Sequence, residues 1–424
     1  MNPFLEKAKD PEEMLTNWKG MYPKAYDKKT VDPYTKTRII LMNGTEFEAN
    51  WFSHSMSRNN SSVELRQSLA LLRFIEKQQQ QKIANLKPID ESVLETTIGY
   101  EQLAVDLTAE LAKKEKNFYV KRALDFALLE DFDHLYRYAN LLDYDEGIKA
   151  SELVGNYTEI MPARPTMAHH RHPIDNAKEN ITNKTSDLQT ILNTMIITGA
   201  EQQTMNFYMN VSSDYKNDAG RKLYEEICLI EEEHVTQYGA LIDTGGTWLE
   251  KLLWHEYMEA YLYWSCIETE TDKNIKNLWE ENFEIEVGHL GYVRNLLRKF
   301  EKKDYNEVIR NAEFPAPISL HENIAYVREI IDNTVQFTGS GTDYKDIKNL
   351  PENDRFFKYQ KTVNEPLSGV PSHNVIKDYI EKNGNDYRFE TEPNPVPVLR
   401  TRNSDNVKVG IDPQAADSTN FKTI

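Results

Sequence analysis

Apolar residues recur at helical spacing over most of the chain, and Pro, Gly and Asn divide this pattern into segments. Leu65, Leu69, Leu72 and Ile75, for example, fall on one stripe, which is typical of an amphipathic helix. The pattern predicts a mainly α fold, a helical bundle with six or seven long helices. They are expected at 61–86, 92–114, 119–144, 185–210, 217–242, 247–269 and 273–301, with a weaker helix at 321–333.

Near the N-terminus the pattern favours β-structure. Arg38–Met42 and Thr45–Ala49 are short β-favouring runs, and Asn43-Gly44 separates them. Because both positions of a tight hairpin turn need positive φ, Asn-Gly predicts a β-hairpin here. We therefore expect three regions: an N-terminal arm with this hairpin at 1–60, a helical bundle at 61–335 and an extended tail at 336–424.

Two segments are predicted to lack long helices. Residues 145–184 are polar and carry three prolines, so we expect a long crossover between helices there. Beyond Phe337 the composition shifts to Gly, Asn, Asp and Pro, with too few apolar residues to fold alone. The tail is expected to be disordered, or to lie across the core or a neighbouring subunit of a homo-oligomer.

A repeat of acidic and histidine residues runs through the predicted helices. Glu101 is followed thirty residues later by Asp131, and three residues after that by His134. Of 424 residues 68 are acidic, so chance would seldom place acids at both distances from a histidine, yet this occurs three times. The other two units are Glu201, Glu231 and His234, and Glu256, Glu286 and His289.

Helix geometry gives these spacings a chemical meaning. Each unit is predicted to be a hairpin of two helices, and at about 1.5 Å rise per residue its two carboxylates come level when the hairpin closes. A carboxylate and a histidine three residues apart share one face of a helix. Each hairpin can therefore present two carboxylates and an imidazole at one height. Such groups suit iron or manganese, although they would also bind zinc.

The repeat also has a structural interpretation, since duplication of a purely structural hairpin would produce the same spacing. However, buried carboxylates without partners are costly, and three inward-facing sets need a compensating cation. We therefore interpret the nine residues of the repeat as metal ligands.

A glutamate on one helix with Glu-x-x-His on the next, present twice in a bundle, resembles the ferritin-like di-metal carboxylate superfamily. Residues 99–102, 129–134 and 200–205 are also similar to an uncharacterised bacterial ferritin-like group. The resemblance covers about residues 92–301 and implies a site for two Fe or Mn ions between two hairpins joined by a long crossover. The ligands that it implies are Glu101, Asp131, His134, Glu201, Glu231 and His234.

The chain departs from this family at two points. Asp131 stands where the family pattern has a glutamate, and its side chain is shorter by one methylene. The third hairpin, with Glu256, Glu286 and His289, adds a ligand set that a single four-helix site does not need. By topology the main site is expected between the first two hairpins. The alternatives are a third hairpin paired with the first, a site shared by all three, and a third copy that has become structural.

Three weaker signals have simpler interpretations. His169–His172 contains three histidines that could bind a metal, but salt bridges with an acidic surface are simpler. Tyr138 and Tyr238 each follow a motif histidine by four residues. They could hydrogen-bond near the metals or act as redox-active phenols, although ordinary packing is simpler. His255 adjoins Glu256 but points about 100° away around the helix, so we do not expect it to be a ligand.

Charge and cysteine content narrow the expected partners. With 50 basic and 68 acidic residues, the formal charge is −18, which would repel nucleic acid and anionic membranes. Cys228 and Cys266 cannot form a CxxC pair or a cysteine-rich zinc site. The sequence contains no apolar signal region and no long apolar run, so we expect a soluble, cytoplasmic protein.

Two Fe or Mn ions held by carboxylates predict an oxidoreductase that acts on a small oxidant, O₂ or a peroxide. Each histidine would cap one metal and leave positions open for the oxidant. The missing CxxC pair argues against a fused electron-transfer domain, so a catalase-like activity fits slightly better. No catalytic residue or organic substrate follows from the sequence. The alternatives are an iron-storage protein and a structural or assembly protein with long arms.

Overall fold

The computed structural model describes residues 1–161, 170–384 and 395–397. It is mainly helical, with 68% helical content and one small antiparallel sheet, which confirms the predicted fold class at that level. None of the described helices is long and apolar enough to cross a bilayer. The homo-oligomer and the cytoplasmic location stay predictions.

Eight long helices of 22 to 29 residues build the described chain, one or two more than the sequence pattern predicts. The elements are α1 (Pro33–Arg58), α2 (Val63–Ala84), α3 (Val93–Lys114), α4 (Phe118–Glu146), α5 (Ala150–Leu153), α6 (Leu188–Asp214), α7 (Asp218–Leu241), α8 (Trp248–Thr269), α9 (Lys273–Glu301), α10 (Tyr305–Val308), α11 (Ile324–Thr334), β1 (Phe337–Ser340), β2 (Asp343–Asp346), α12 (Arg355–Asn364) and α13 (Pro371–Asn383).

The additional long helix is α1, so the predicted N-terminal β-hairpin is wrong. Asp32 caps α1 by accepting a hydrogen bond from the backbone N–H of Tyr34 (2.8 Å). Gly44 lies inside the helix, where a Cβ would come within 3.0 Å of the Gln203 side chain. Asn43 Nδ2 donates a hydrogen bond to Gln203 Oε1 (2.9 Å). The Asn-Gly pair therefore allows α1 to pack closely against α6. This tertiary packing overrides the local preference of the pair for a turn.

The chain folds into two compact units, each built from segments that are far apart in sequence. Unit 1 comprises residues 1–91, 181–203 and 242–320, and unit 2 comprises the described parts of 92–180, 204–241 and 321–424. The predicted N-terminal arm at 1–60 is part of unit 1, to which it contributes the long helix α1. The predicted bundle at 61–335 contributes residues to both units.

In unit 1, α1 packs against α2 and α8, and α9 packs against α8 and α2. Two 3₁₀ turns, Pro3–Leu5 and Pro11–Met14, lie against α9. Met14 packs on Ile75 and Ile285 in a small buried cluster. The N-terminal segment thus covers the α2–α9 side of this unit.

In unit 2, α4 packs against α3, α7, α11 and α13. Helix α13 belongs to the predicted tail, and its Tyr379 packs with Tyr136 of α4 and donates a hydrogen bond to Asp143 Oδ2 (3.0 Å). The sheet pairs β1 with β2 from Phe337↔Asp346 to Ser340↔Asp343. This part of the tail therefore lies across the core of its own unit. Residues 385–394 and 398–424 of the predicted tail lie outside the described residues.

Candidate metal centres

Unit 2 brings five of the predicted ligands together at the centre of α3, α4 and α7. Glu101 comes from α3, Asp131 and His134 from α4, and Glu231 and His234 from α7. Each is at most 1% exposed. The acid and the histidine of each motif lie on one helix face, as the three-residue spacing predicts.

Glu231 lies at the centre of this cluster. Its Oε1 is 2.9 Å from His134 Nδ1, and its Oε2 is 3.3 Å from His234 Nδ1. His234 Nδ1 is also 3.2 Å from Asp131 Oδ1. Two groups of side chains, each with ligand atoms within 4.8 Å of one another, therefore share Glu231. They are Glu101, His134 and Glu231, and Asp131, Glu231 and His234.

Asp131 and Glu231, the two acids beside Nδ1 of His234, have pKa values shifted in opposite directions. Burial raises the pKa of Asp131, although His234 opposes the shift. Burial would also raise the pKa of Glu231, but hydrogen bonds with His134 and His234 outweigh it and lower that pKa. Of these two carboxylates, Glu231 therefore stays ionised more readily, which suits it to bridge two cations.

A second layer of charge fixes the orientation of His234. Its Nε2 lies 2.9 Å from Glu130 Oε2, and Arg171 forms buried ion pairs with Glu130 and with Glu233 (3.3 Å). When Nε2–H donates to Glu130, Nδ1 presents its lone pair to the ligand cluster, as second-layer carboxylates commonly arrange for metal-binding histidines. Glu130 and Glu233 were not predicted from the sequence, although each is adjacent in sequence to a predicted ligand.

Arg171 belongs to the histidine-rich stretch of the predicted crossover. Salt bridges at the surface were expected for this stretch, but those of Arg171 are buried, since the residue is 1% exposed. Burial lowers the pKa of neighbouring His170 to about 4, so His170 is neutral at physiological pH. His169 lies outside the described residues.

Tyrosines line the same region of unit 2. The Tyr208 hydroxyl donates a hydrogen bond to Glu101 Oε1, and the ring of Tyr138 lies 5.1 Å from that of Tyr208. Tyr238 is fully buried, with its ring 6.4 Å from that of His234. Sequence reasoning missed Tyr208, although it follows Glu201 by seven residues, which is two helical turns.

Unit 1 brings the third motif together. His289 Nδ1 lies 3.3 Å from Glu256 Oε2 and 3.4 Å from Glu286 Oε2, and all three residues are at most 1% exposed. Three further acids of helices α1, α2 and α8 are at most 1% exposed: Glu46, Glu76 and Glu259.

Helices α1 and α2 form a fourth hairpin with the repeat spacing. Glu76 follows Glu46 by thirty residues, and Gln79 follows Glu76 by three, so glutamine stands where the other hairpins have histidine. Gln79 Nε2 donates a hydrogen bond to Glu286 Oε1 (2.6 Å). The Tyr263 hydroxyl donates to Glu46. This fourth hairpin was not predicted from the sequence, because the search for the repeat started from histidines and because Asn43-Gly44 was interpreted as a turn.

Burial changes the acidity of this second cluster. It raises the pKa of Glu76 to about 8, with Glu256 adding to the shift. It also raises the pKa of Glu259 well above its ordinary value. Burial would lower the pKa of His289, but Glu286 and Glu256 outweigh it and raise that pKa. Without a cation, protons must therefore offset much of the charge of these carboxylates.

Two other residues considered in the sequence, Glu201 and His255, also lie in unit 1. Glu201 is 1% exposed, on the part of α6 that belongs to this unit, and it stays a predicted ligand. His255 Nδ1 lies 3.0 Å from Glu48 Oε2, so this histidine forms an ion pair with a residue outside the repeat.

Comparisons with known protein families, curated proteins and solved structures find no match for this chain. The ferritin-like resemblance therefore stays a proposal, supported by the side chains of the two clusters.

Proposed function

We propose that unit 2 binds two Fe or Mn ions and that the protein is a ferritin-like di-metal oxidoreductase acting on O₂ or a peroxide. The observation that carries this proposal is the pair of buried ligand groups that share Glu231. One carboxylate with an imidazole near each oxygen is a natural bridge between two cations.

The donor set supports a first-row transition metal. Three carboxylates and two imidazoles offer both oxygen and nitrogen, a combination that suits iron and manganese and that zinc also accepts. No thiolate takes part, since Cys228 and Cys266 are not in either ligand group. Burial of three carboxylates in one place is costly unless cations compensate their charge.

The side chains around the ligands support redox chemistry with a small oxidant. A bound di-metal pair would supply the electrons or accept them. Arg171 and Glu130 hold the His234 ring, and Tyr208 holds Glu101. Burial raises the pKa of Tyr208 and of Tyr138 well above the ordinary value. Both phenols therefore keep their protons at neutral pH and can donate hydrogen bonds within a site closed to bulk water.

Metal analysis with rapid absorbance measurements tests this proposal. We expect wild type to bind Fe(II) or Mn(II) and to change its absorbance within seconds of O₂ or peroxide addition. His234→Ala should lose about two ions per chain together with the absorbance change. The control His54→Ala replaces an exposed histidine on α1 and should retain both properties.

Two outcomes would contradict the proposal. Full retention of metal by His234→Ala would show that His234 does not ligate it. Metal binding without any absorbance change on oxidant addition would exclude the oxidoreductase and leave only metal binding in unit 2.

A further inference from the structure

Unit 1 contains a second cluster of buried ionisable side chains, which α1, α2, α8 and α9 build together. Every member is at most 1% exposed. The members are Glu46, Glu76, Glu256, Glu259, Glu286 and His289. The cluster thus sets five carboxylates against one imidazole, a larger excess of acid than the three carboxylates and two imidazoles of unit 2.

Several polar atoms of the cluster lack hydrogen bonds within the described part of the chain. Both carboxylate oxygens of Glu259, Oε2 of Glu76 and Nε2 of His289 have no such partner, and neither has Oε1 of Gln79. Leaving a buried polar group without a hydrogen-bond partner destabilises the folded protein. These atoms include an imidazole nitrogen and an amide oxygen as well as carboxylate oxygens, so three kinds of potential metal-ligand atom are unpartnered among the described residues.

Glu270, in the same unit, shows how this chain satisfies a buried acid that needs no ligand. Its carboxylate accepts hydrogen bonds from Arg38 Nε (3.0 Å), Thr35 Oγ1 (2.6 Å) and Trp279 Nε1 (3.1 Å). Glu259 lies on α8, the helix that ends just before Glu270, yet has none of these contacts. The chain can therefore supply donors to a buried acid of this unit, as it does for Glu270, but its described residues supply none to either oxygen of Glu259.

The ligand atoms of unit 1 also fall into two groups that share one residue. Glu76, Glu256 and His289 offer atoms within 4.8 Å of one another, and so do Glu256, Glu259 and Glu286. Glu256 is therefore common to both groups of unit 1, as Glu231 is common to both groups of unit 2. Two divalent cations would bring four positive charges to five carboxylates, which leaves a small net charge.

We propose that unit 1 holds its own pair of divalent cations, bound by the five side chains of these two groups. The inference concerns side chains separate from those of unit 2, and it stands whether or not unit 2 reacts with an oxidant. Carboxylates suit Mg²⁺, Ca²⁺ and Mn²⁺, whereas imidazole suits Fe, Zn and Cu. Mn²⁺ tolerates both donor types, so an oxygen-rich site with a single imidazole favours manganese.

Gln79 distinguishes this site from the one in unit 2. It occupies the position of the missing histidine, and its amide N–H groups cannot accept a cation. Nε2 donates a hydrogen bond to Glu286 and so helps to position that carboxylate, whereas the buried Oε1 has no hydrogen bond within the described residues. The α1–α2 hairpin therefore supplies oxygen atoms alone, which strengthens the preference for Mn²⁺ over Zn²⁺ in unit 1 relative to unit 2.

Equilibrium dialysis of the metal-depleted full-length protein against Mn²⁺, followed by elemental analysis, tests the inference. We expect wild type to bind about four ions per chain. Glu76→Gln with Glu259→Gln keeps the side-chain shapes but removes two charges, and should lose about two of these ions. His234→Ala should lose the other two. Glu280→Gln, an exposed change on α9, should lose none.

Melting temperature gives a second readout of the same variants. The double glutamine variant removes buried charge, so without metal it should melt at or above the wild-type temperature. Added Mn²⁺ should raise the melting temperature of wild type more than that of the variant. If the double variant does not fold, His289→Gln replaces it in both measurements.

The outcomes separate this inference from the proposed function. If the double variant binds as much Mn²⁺ as wild type, the cluster is a network of protonated carboxylates and the inference is overturned. If wild type binds only two ions and His234→Ala loses both, the unit 1 site is again excluded and that of unit 2 is upheld. If only the double variant loses metal, unit 1 is upheld and the unit 2 site is excluded.

Discussion

At the scale of single residues, the buried acids in the described part of unit 1 differ in whether they accept hydrogen bonds. Glu270 is surrounded by donors and has a lowered pKa: burial alone would raise it, but the hydrogen bonds from Arg38 outweigh that effect. The carboxylate oxygens of Glu259, in the unit 1 cluster, accept no hydrogen bond from the described residues, and burial raises the pKa of that group. This difference, more than the number of acids, marks the cluster as a place for cations.

The Arg38–Glu270 pair predicts a specific pH dependence. Because the folded-state pKa of Glu270 lies below its ordinary value, the pair stabilises the folded protein above that value. The stabilisation is lost as pH falls through the lowered pKa. Arg38→Met leaves a buried carboxylate without its cation, so we expect a loss of about 3 kcal/mol in unfolding free energy at pH 7.

Chemical denaturation of both proteins at pH 7 and near pH 4 measures this effect. The difference between wild type and Arg38→Met should shrink at the lower pH, because Glu270 of the variant is then protonated. Arg58→Met, at the exposed end of α1, is the control. An equal difference at both pH values would mean that Arg38 acts through packing and not through the charge of Glu270.

At the scale of elements, local signals predicted most long helices correctly. Ser92 and Thr247 each form a reciprocal cap with a glutamate three residues on, and such caps are visible in sequence. Helix α1 was not predictable in this way. Its Asn43-Gly44 pair has a strong local preference for a turn, and only the contact with Gln203 explains its place in a helix.

Two buried helical glycines provide a matched test of that explanation. A Cβ at Gly199 would lie 3.7 Å from Glu48, an ordinary contact, whereas one at Gly44 would lie 3.0 Å from Gln203. Alanine is favoured over glycine in a helix by about 1 kcal/mol. We therefore expect Gly199→Ala to raise the melting temperature and Gly44→Ala to leave it unchanged or lower it.

Thermal unfolding followed by circular dichroism distinguishes the two variants. If Gly44→Ala stabilised the protein as much as Gly199→Ala, the close approach of α1 to Gln203 would not be the reason for glycine at this position. The Asn-Gly pair would then have no explanation in the packing of unit 1.

At the scale of the whole molecule, four hairpins share one spacing of acidic residues. The sequence revealed three of them because histidine anchored the search, and the fourth carries Gln79 instead. Spacing along one hairpin fixes which side chains come level. It does not fix which hairpins associate, because that depends on contacts between residues far apart in sequence. The membership of α1, α2, α8 and α9 in one unit therefore required the structure.

The central claim is that each unit holds cations at its own carboxylate cluster. Anomalous diffraction at the Mn and Fe absorption edges, from crystals of the metal-loaded protein, locates such ions directly. We predict peaks at coordination distance from Glu231 with His134 and His234, and from Glu256 with His289. Fully loaded crystals with no anomalous peak at either cluster would contradict it.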